Sequence, residues 1–342
     1  MNQQLIHDLC SPRCAGRRPV TPGGDAARAL VVEALRAAGL DPFEQPVPAC
    51  GGANVLAAIA GDEPGWIVVG AHFDHLGTIG REVFWGADDN AAAVAILVDV
   101  GRALAAERAG RCVIIAAFDG EEPPFFMTGA MGSQAFVAAP PVPRESIEFM
   151  VCMDLVGHRL GSPLLPDDVG HSVFALGAER SAGTAALLRE LKRATPGVIV
   201  RAADAEIVPP LSDYDAFWSA RIPFLFLSAG RSRVYHTPDD TPDKLDAPKI
   251  AATAQWLAEF VRATRRRAEP IAFAEHGAGD AATLDETAEL LQTLAPFSRE
   301  AEGALRRVAQ LRAACDRSGR LPDKVRGELA ALVIGIESAL AG

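Results

Sequence analysis

The chain of 342 residues has no surplus of positive charge: 33 Lys and Arg stand against 44 Asp and Glu, a formal net charge of −11. An acidic protein gains nothing from counterion release on a polyphosphate, which argues against a nucleic-acid partner. No run approaches the roughly eighteen apolar residues of a membrane span, so no membrane partner is expected. The start, MNQQLIHD, has no basic stretch leading into an apolar one, so a secretion signal is not expected and the cytoplasm is the expected location. The six cysteines (10, 14, 50, 112, 152 and 315) include no Cys-x-x-Cys pair. They read as small buried apolar residues, neither a disulfide framework nor a zinc knuckle. The longest basic run, Arg265-Arg266-Arg267, reads as cations on the last turn of a long helix.

What is present is ample apolar material, 49% of the chain, enough for one large domain with an appendage or for two domains. Residues 24–39 show helical periodicity and stop at Gly39. Strand-like runs follow at 54–60, 66–71, 111–118, 149–154, 198–202 and 223–228, with helical patterns at about 90–108, 128–138, 179–194 and 246–267. Runs such as Ile67-Val68-Val69 and Val113-Ile114-Ile115 are apolar at every position, as in strands buried on both faces. The expected fold class is therefore α/β, a mixed and largely parallel central sheet covered by helices on both faces. Beyond Pro270 the pattern changes to three helices, at about 283–296, 299–316 and 322–340. We expect a catalytic domain over 1–270 and a C-terminal helical extension over 271–342. The apolar faces of those helices need a partner, either the catalytic domain or a second copy in a homo-oligomer.

Chemistry-bearing residues collect where strands run into loops, the place where open α/β sheets put their sites. The strand 66–71 leads into His72-Phe73-Asp74-His75. Alternation places His72 and Asp74 on one face, so Asp74 could accept a hydrogen bond from His72 and set its tautomer. Gly86-Ala87-Asp88-Asp89-Asn90 precedes an apolar helix; capping explains one of its polar residues but not three. Asp119-Gly120-Glu121-Glu122 ends the strand 111–118 and runs into Pro-Pro-Phe-Phe. One of these adjacent glutamates could bind a metal while the other faces a water. Asp154 ends another apolar strand, Ser212-Asp213 opens a short helix in the manner of a cap, and Tyr235-His236 adjoins a proline turn. Two histidines and three carboxylates, with one glutamate to spare, suit two divalent ions such as zinc without thiolates.

In order along the chain, HFDHLG, ADDNA, DGEE, MDLVG, SDY and YHTPDDT resemble the motifs of metallopeptidase family 28, over roughly residues 9–262. That family includes co-catalytic zinc aminopeptidases and is related to the glutaminyl cyclases. The resemblance implies Asp89 as the bridge between two zinc ions. It implies His72 and Asp154 as the other donors of one ion, and Glu122 and His236 as those of the second. It further implies Glu121 as general base, Asp74 as the group orienting His72, and Tyr235 as a residue that helps hold the substrate carbonyl. The expected activity is removal of N-terminal residues from peptides.

The chain departs from the resemblance at Ala92-Ala93, where many members have Ser-Gly, and in the loop Pro123–Met131, whose Phe125, Phe126 and Met127 could wall the substrate. A glutaminyl cyclase on the same fold is the first alternative; Tyr235 and Pro123–Met127 stand where those cyclases carry tryptophans. A non-catalytic binding protein is the second, and the intact donor set argues against it.

Overall fold

The computed structural model describes residues 2–341. In chain order the elements are α1 (Gln3–Leu9), α2 (Pro22–Ala37), β1 (Pro42–Val47), β2 (Gly52–Ile59), β3 (Glu63–His72), β4 (Gly77–Ile79), β5 (Glu82–Phe84), α3 (Ala92–Leu104), β6 (Arg111–Phe118) and α4 (Gly132–Ala138). They continue with β7 (Ile147–Met153), α5 (Asp167–Gly170), β8 (Ser172–Leu176), α6 (Thr184–Leu191), β9 (Ile199–Ala203), α7 (Tyr214–Ser219), β10 (Phe224–Ser228) and α8 (Ala247–Arg265). Three helices follow, α9 (Asp280–Leu294), α10 (Arg299–Ala314) and α11 (Asp323–Leu340).

Eight strands form one mixed sheet in the order β1-β2-β6-β3-β7-β10-β8-β9. Its middle, β6-β3-β7-β10, is parallel throughout. The alternation of side chains explains the unbroken apolar runs. Ile67, Val69 and Ala71 of β3 enter one core with α2, α3 and α8, while Val68 enters the other with α4 and α7. Both faces are covered, as the sequence implies.

Four strands lie outside the runs expected from the sequence: β1 and β8 of the large sheet, and the short pair β4 and β5. The edge strand β1 contains two prolines, which an edge tolerates because one side of it has no ladder to complete. Strand β8 is a five-residue piece, too short for its period to show. The expected helix at 179–194 begins only at Thr184. Of the basic run, Arg265 is buried and donates its Nε to the Arg111 carbonyl at 2.7 Å, so it is not a solvated end-of-helix cation. All six cysteines are free. Among the described residues no helix is long and apolar enough to cross a membrane.

The C-terminal helices share a third core with the sheet-bearing part: Leu284, Leu291, Leu311 and Leu329 pack with Leu160, Val169, Ile207 and Ala229. These leucines of the three helices thus find partners within one chain.

Candidate metal centre

The carboxyl ends of β3, β6, β7 and β10 lie side by side, and each is followed by polar residues that turn into one crevice. His72 is the last residue of β3. Past β6 the chain turns sharply at Gly120, which has φ +71°; a Cβ there would sit 2.9 Å from Cys50. That turn brings Glu121 and Glu122 back over the sheet. Asp154 directly follows β7 and donates its amide to the Leu227 carbonyl of β10 at 3.0 Å.

Asp89 lies between the two halves of the site. Its Oδ1 is 3.4 Å from His72 Nε2, and its Oδ2 is 3.0 Å from His236 Nε2. His72 Nε2 is also 3.5 Å from Asp154 Oδ1, and His236 Nε2 is 3.3 Å from Glu122 Oε2. Donors each about 2.0–2.1 Å from a tetrahedral zinc stand about 3.4 Å apart, which these separations match. His72 Nε2 and Asp154 Oδ1 are buried without any hydrogen-bond partner. Buried polar atoms left so are costly, and here they point at each other across a gap suited to a cation. The residues present therefore fit a pair of divalent ions. Among the described residues, the donor atoms of His72, Glu121 and Asp154 form one compact group, and those of His75, Asp89 and Glu122 another.

Electrostatics agree. Burial pushes Glu121 well above the ordinary carboxyl range, with the charges of Asp154 and Glu122 adding to the shift. Burial raises Asp154 to about 6. Burial disfavours the charged form of His72, but the carboxylates of Glu121 and Asp154 override it and hold the imidazole well above its usual value. For His236 burial is likewise outweighed, by its bonds to Asp89 and Glu122, and its pKa stands at about 10. So many acids crowded together require a compensating positive charge.

Several expected partners are met differently. The Asp74 carboxylate does not hold His72 closely: its Oδ1 is 3.7 Å from His72 Nδ1, which lies nearer the Asp74 carbonyl oxygen at 3.2 Å. The carboxylate is instead taken by the amides of Glu121 and Glu122, at 3.1 and 3.2 Å, and so fixes the loop after β6. Asp88 and Asn90 do not cap α3. Asp88 accepts from Gly157 N, His158 N and His158 Nδ1, and Asn90 donates to the Met153 carbonyl. Asp213, read as a helix cap, makes no capping bond; both its oxygens are buried without partners, and its pKa is raised by burial to about 7. Tyr235 stacks on the His236 ring at 3.9 Å between centroids. Phe125, Phe126 and Met127 are half-buried.

Three residues with a part in the site were not singled out in the sequence. His75 is buried, its Nδ1 2.8 Å from Glu122 Oε1, and burial holds its pKa down at about 3. His75 Nδ1 lies 3.8 Å from Asp89 Oδ2, whereas His236 Nε2 lies 3.0 Å from the same oxygen. Asp240 accepts from the amides of Asp88 and Asp89, at 2.9 and 3.1 Å, and so pins the Asp89 backbone. Arg17, fully buried, donates to the carbonyls of Phe73, Gly86 and Asp89, tying the loop after β3 to the one bearing Asp89. The position of His75 beside His72 was a signal in plain view. The other two contacts span 55 residues or more of chain and leave no local pattern.

Sheet order and donor set define a zinc-exopeptidase fold with a candidate metal centre at the carboxyl ends of its parallel strands. Residues 54–261, more than half of the chain, match Peptidase family M28, and the chain belongs to that family. The uncharacterized protein YfbL of Escherichia coli (strain K12) is 26% identical over 244 residues, 65% of this chain and 74% of its own length. The LapA aminopeptidase of Legionella pneumophila superposes with a TM-score of 0.64 at 17% identity, over 78% of this chain and 71% of its own. A Zn-dependent exopeptidase from Parabacteroides distasonis gives 0.60 at 18% identity, over 78% and 97%. The glutaminyl cyclase of Porphyromonas gingivalis gives 0.60 at 19% identity, over 76% and 96%. These structural likenesses are of fold.

Proposed function

We propose that the chain is a two-zinc aminopeptidase acting on peptides. The observation that carries this reading is Asp89, whose two oxygens face two histidine nitrogens, His72 and His236, at 3.4 and 3.0 Å. Asp89 would bridge the ions, with His72 and Asp154 completing one site and Glu122 and His236 the other. When bound, the ions supply Lewis acidity and lower the pKa of water towards about 7. Glu121 takes the proton of the attacking water and hands it to the leaving amine. Tyr235, stacked on His236, reaches towards the substrate carbonyl as a donor. Asp74 holds Glu121 and Glu122 in place through their amides. In this reading residues 1–270 carry the chemistry and the helices of 271–342 are an extension.

A glutaminyl cyclase is the second reading. The observation that favours it is Asp213, a buried unpartnered carboxylate whose charge reaches Glu121, together with the cyclase of the same fold. Assays of the metal-loaded protein on aminoacyl-p-nitroanilides and on N-terminal glutaminyl peptides separate the two. Release of nitroaniline without pyroglutamate supports the peptidase; pyroglutamate formation alone overturns it. Two metal equivalents per chain are expected.

A further inference from the structure

Arg17 lies in the segment between α1 and α2, far in sequence from every candidate donor, yet its guanidinium reaches the main chain of Asp89. The side chain is fully buried. Its Nε donates to the Phe73 carbonyl at 2.7 Å, its Nη1 to those of Leu9, at 3.3 Å, and Trp85, and its Nη2 to those of Gly86 and Asp89, at 2.6 and 3.1 Å. A guanidinium has five N–H donors, and here five carbonyls take them. Burial of a charge is tolerable only when its donors are satisfied in this way.

The backbone bends to allow it. Arg17 itself takes φ +44°, a left-handed conformation that residues with a Cβ disfavour. Gly86 has φ +60°, and a Cβ there would meet the Asp89 carbonyl oxygen at 2.2 Å and Arg17 Nη2 at 2.6 Å. The segment 85–89 therefore closes on the guanidinium only with glycine at 86.

Two of the five carbonyls bear on the centre. Phe73 directly follows His72, and another of the five belongs to Asp89 itself. His72 Nε2 and Asp89 Oδ1, which would share one ion, stand 3.4 Å apart. A planar fork bonded to both segments fixes their relative place. Asp240 takes the Asp89 amide at 3.1 Å while Arg17 takes its carbonyl, so the main chain is held on both sides of Asp89. The second carboxylate oxygen is then presented to His236 Nε2, at 3.0 Å.

We infer that Arg17 is a positioning residue of the candidate metal centre, setting the place of Asp89 between the two ions through the span of its guanidinium. It acts through the main chain and lends no donor atom. The inference rests on the two-metal centre of the proposed function. Arg265 supplies the comparison: it too is buried and donates to a carbonyl, that of Arg111 at 2.7 Å, but at the opposite end of the sheet.

The test titrates the full-length, metal-free protein with zinc against a chromophoric chelator. Wild type, Arg17→Lys, Gly86→Ala and Arg265→Lys are compared below the lowest melting temperature of the four. Lysine keeps the charge of Arg17 but carries three donors on one nitrogen and cannot span two segments. Both zinc dissociation constants of Arg17→Lys should rise together, by about 10–100-fold, because Asp89 serves both ions. Gly86→Ala displaces the guanidinium from the other side and should do the same. Arg265→Lys should lower the melting temperature and leave both constants as in the wild type. Wild-type constants in Arg17→Lys and Gly86→Ala, or a rise in only one of the two constants, would overturn the inference and leave the centre standing. An equal rise in Arg265→Lys would trace the effect to general stability and overturn it as well. A wild type that binds no zinc would overturn the centre itself, and the inference with it.

Discussion

The Nδ1 of His75 lies 2.8 Å from Glu122 Oε1, and this bond leaves Glu122 Oε2 as the oxygen facing His236, at 3.3 Å. With its pKa held down at about 3 by burial, His75 is a neutral imidazole that donates to the carboxylate. In the proposed centre it would orient Glu122 as a donor.

His75→Ala should therefore weaken one of two metal sites, by about 10–100-fold, the usual cost of losing a group that orients a metal donor. Stepwise titration of the metal-free protein with zinc reads this. Equal weakening of both sites, or of neither, would contradict the orienting role.

Glu121 Oε2 stands 3.8 Å from His72 Nε2, farther than the Asp89 and Asp154 oxygens at 3.4 and 3.5 Å. That ordering favours Glu121 as a base over Glu121 as a donor. Glu121→Gln should retain both metal equivalents while kcat falls about 10²–10⁴-fold. Loss of one equivalent in this variant, measured by elemental analysis, would make Glu121 a metal ligand.

Arg326 of α11 bonds Asp204 at 2.9 Å and Asp280 at 3.0 Å, and both carboxylates are fully buried. Arg326→Met leaves two buried acids without their countercharge, a loss of about 3–5 kcal/mol. Urea unfolding should show it, and the double variant with Asp204→Asn should recover part of it. A stability equal to that of the wild type would show that the network contributes nothing net.

Glu179 is raised to about 7, chiefly by burial and then by the nearby charge of Asp204. Folded, it binds its proton more tightly than it does unfolded, so stability falls as pH rises from about 4.5 to about 7. Glu179→Gln is neutral at every pH and keeps an oxygen for the Ala205 amide. At pH 8 it should be more stable than the wild type by about 3 kcal/mol, and the advantage should vanish near pH 4.5. Urea midpoints at the two values check the sign.

The parts legible in the sequence are those whose physics is local. Continuous apolar runs marked β3, β6 and β7, because burial on both faces removes the polar half of the alternation. The candidate site residues were legible because His72, Glu121, Glu122 and Asp154 each end or closely follow such a strand. What stayed hidden depends on distant chain. Asp240 clamps Asp89 across 151 residues, and Asp213 looks like any acidic residue opening a helix until its oxygens are found without partners. Helix α11 reads as an amphipathic segment and nothing more. Only packing places Ile334 opposite β10.

The attachment of α11 to the loop 229–236, where Glu337 receives the Arg231 amide at 3.0 Å, has a consequence for the order in which the protein is completed during synthesis. Translation delivers the histidine and carboxylate donors by residue 236, some hundred residues before Val333 to Leu340. Domains fold as their sequence emerges from the ribosome. A nascent chain would thus hold every group needed to gather its ions while the cavity between α11 and β10 still lacked a wall. Helix α11, made later, adds the missing wall through its bonds to the loop 229–236.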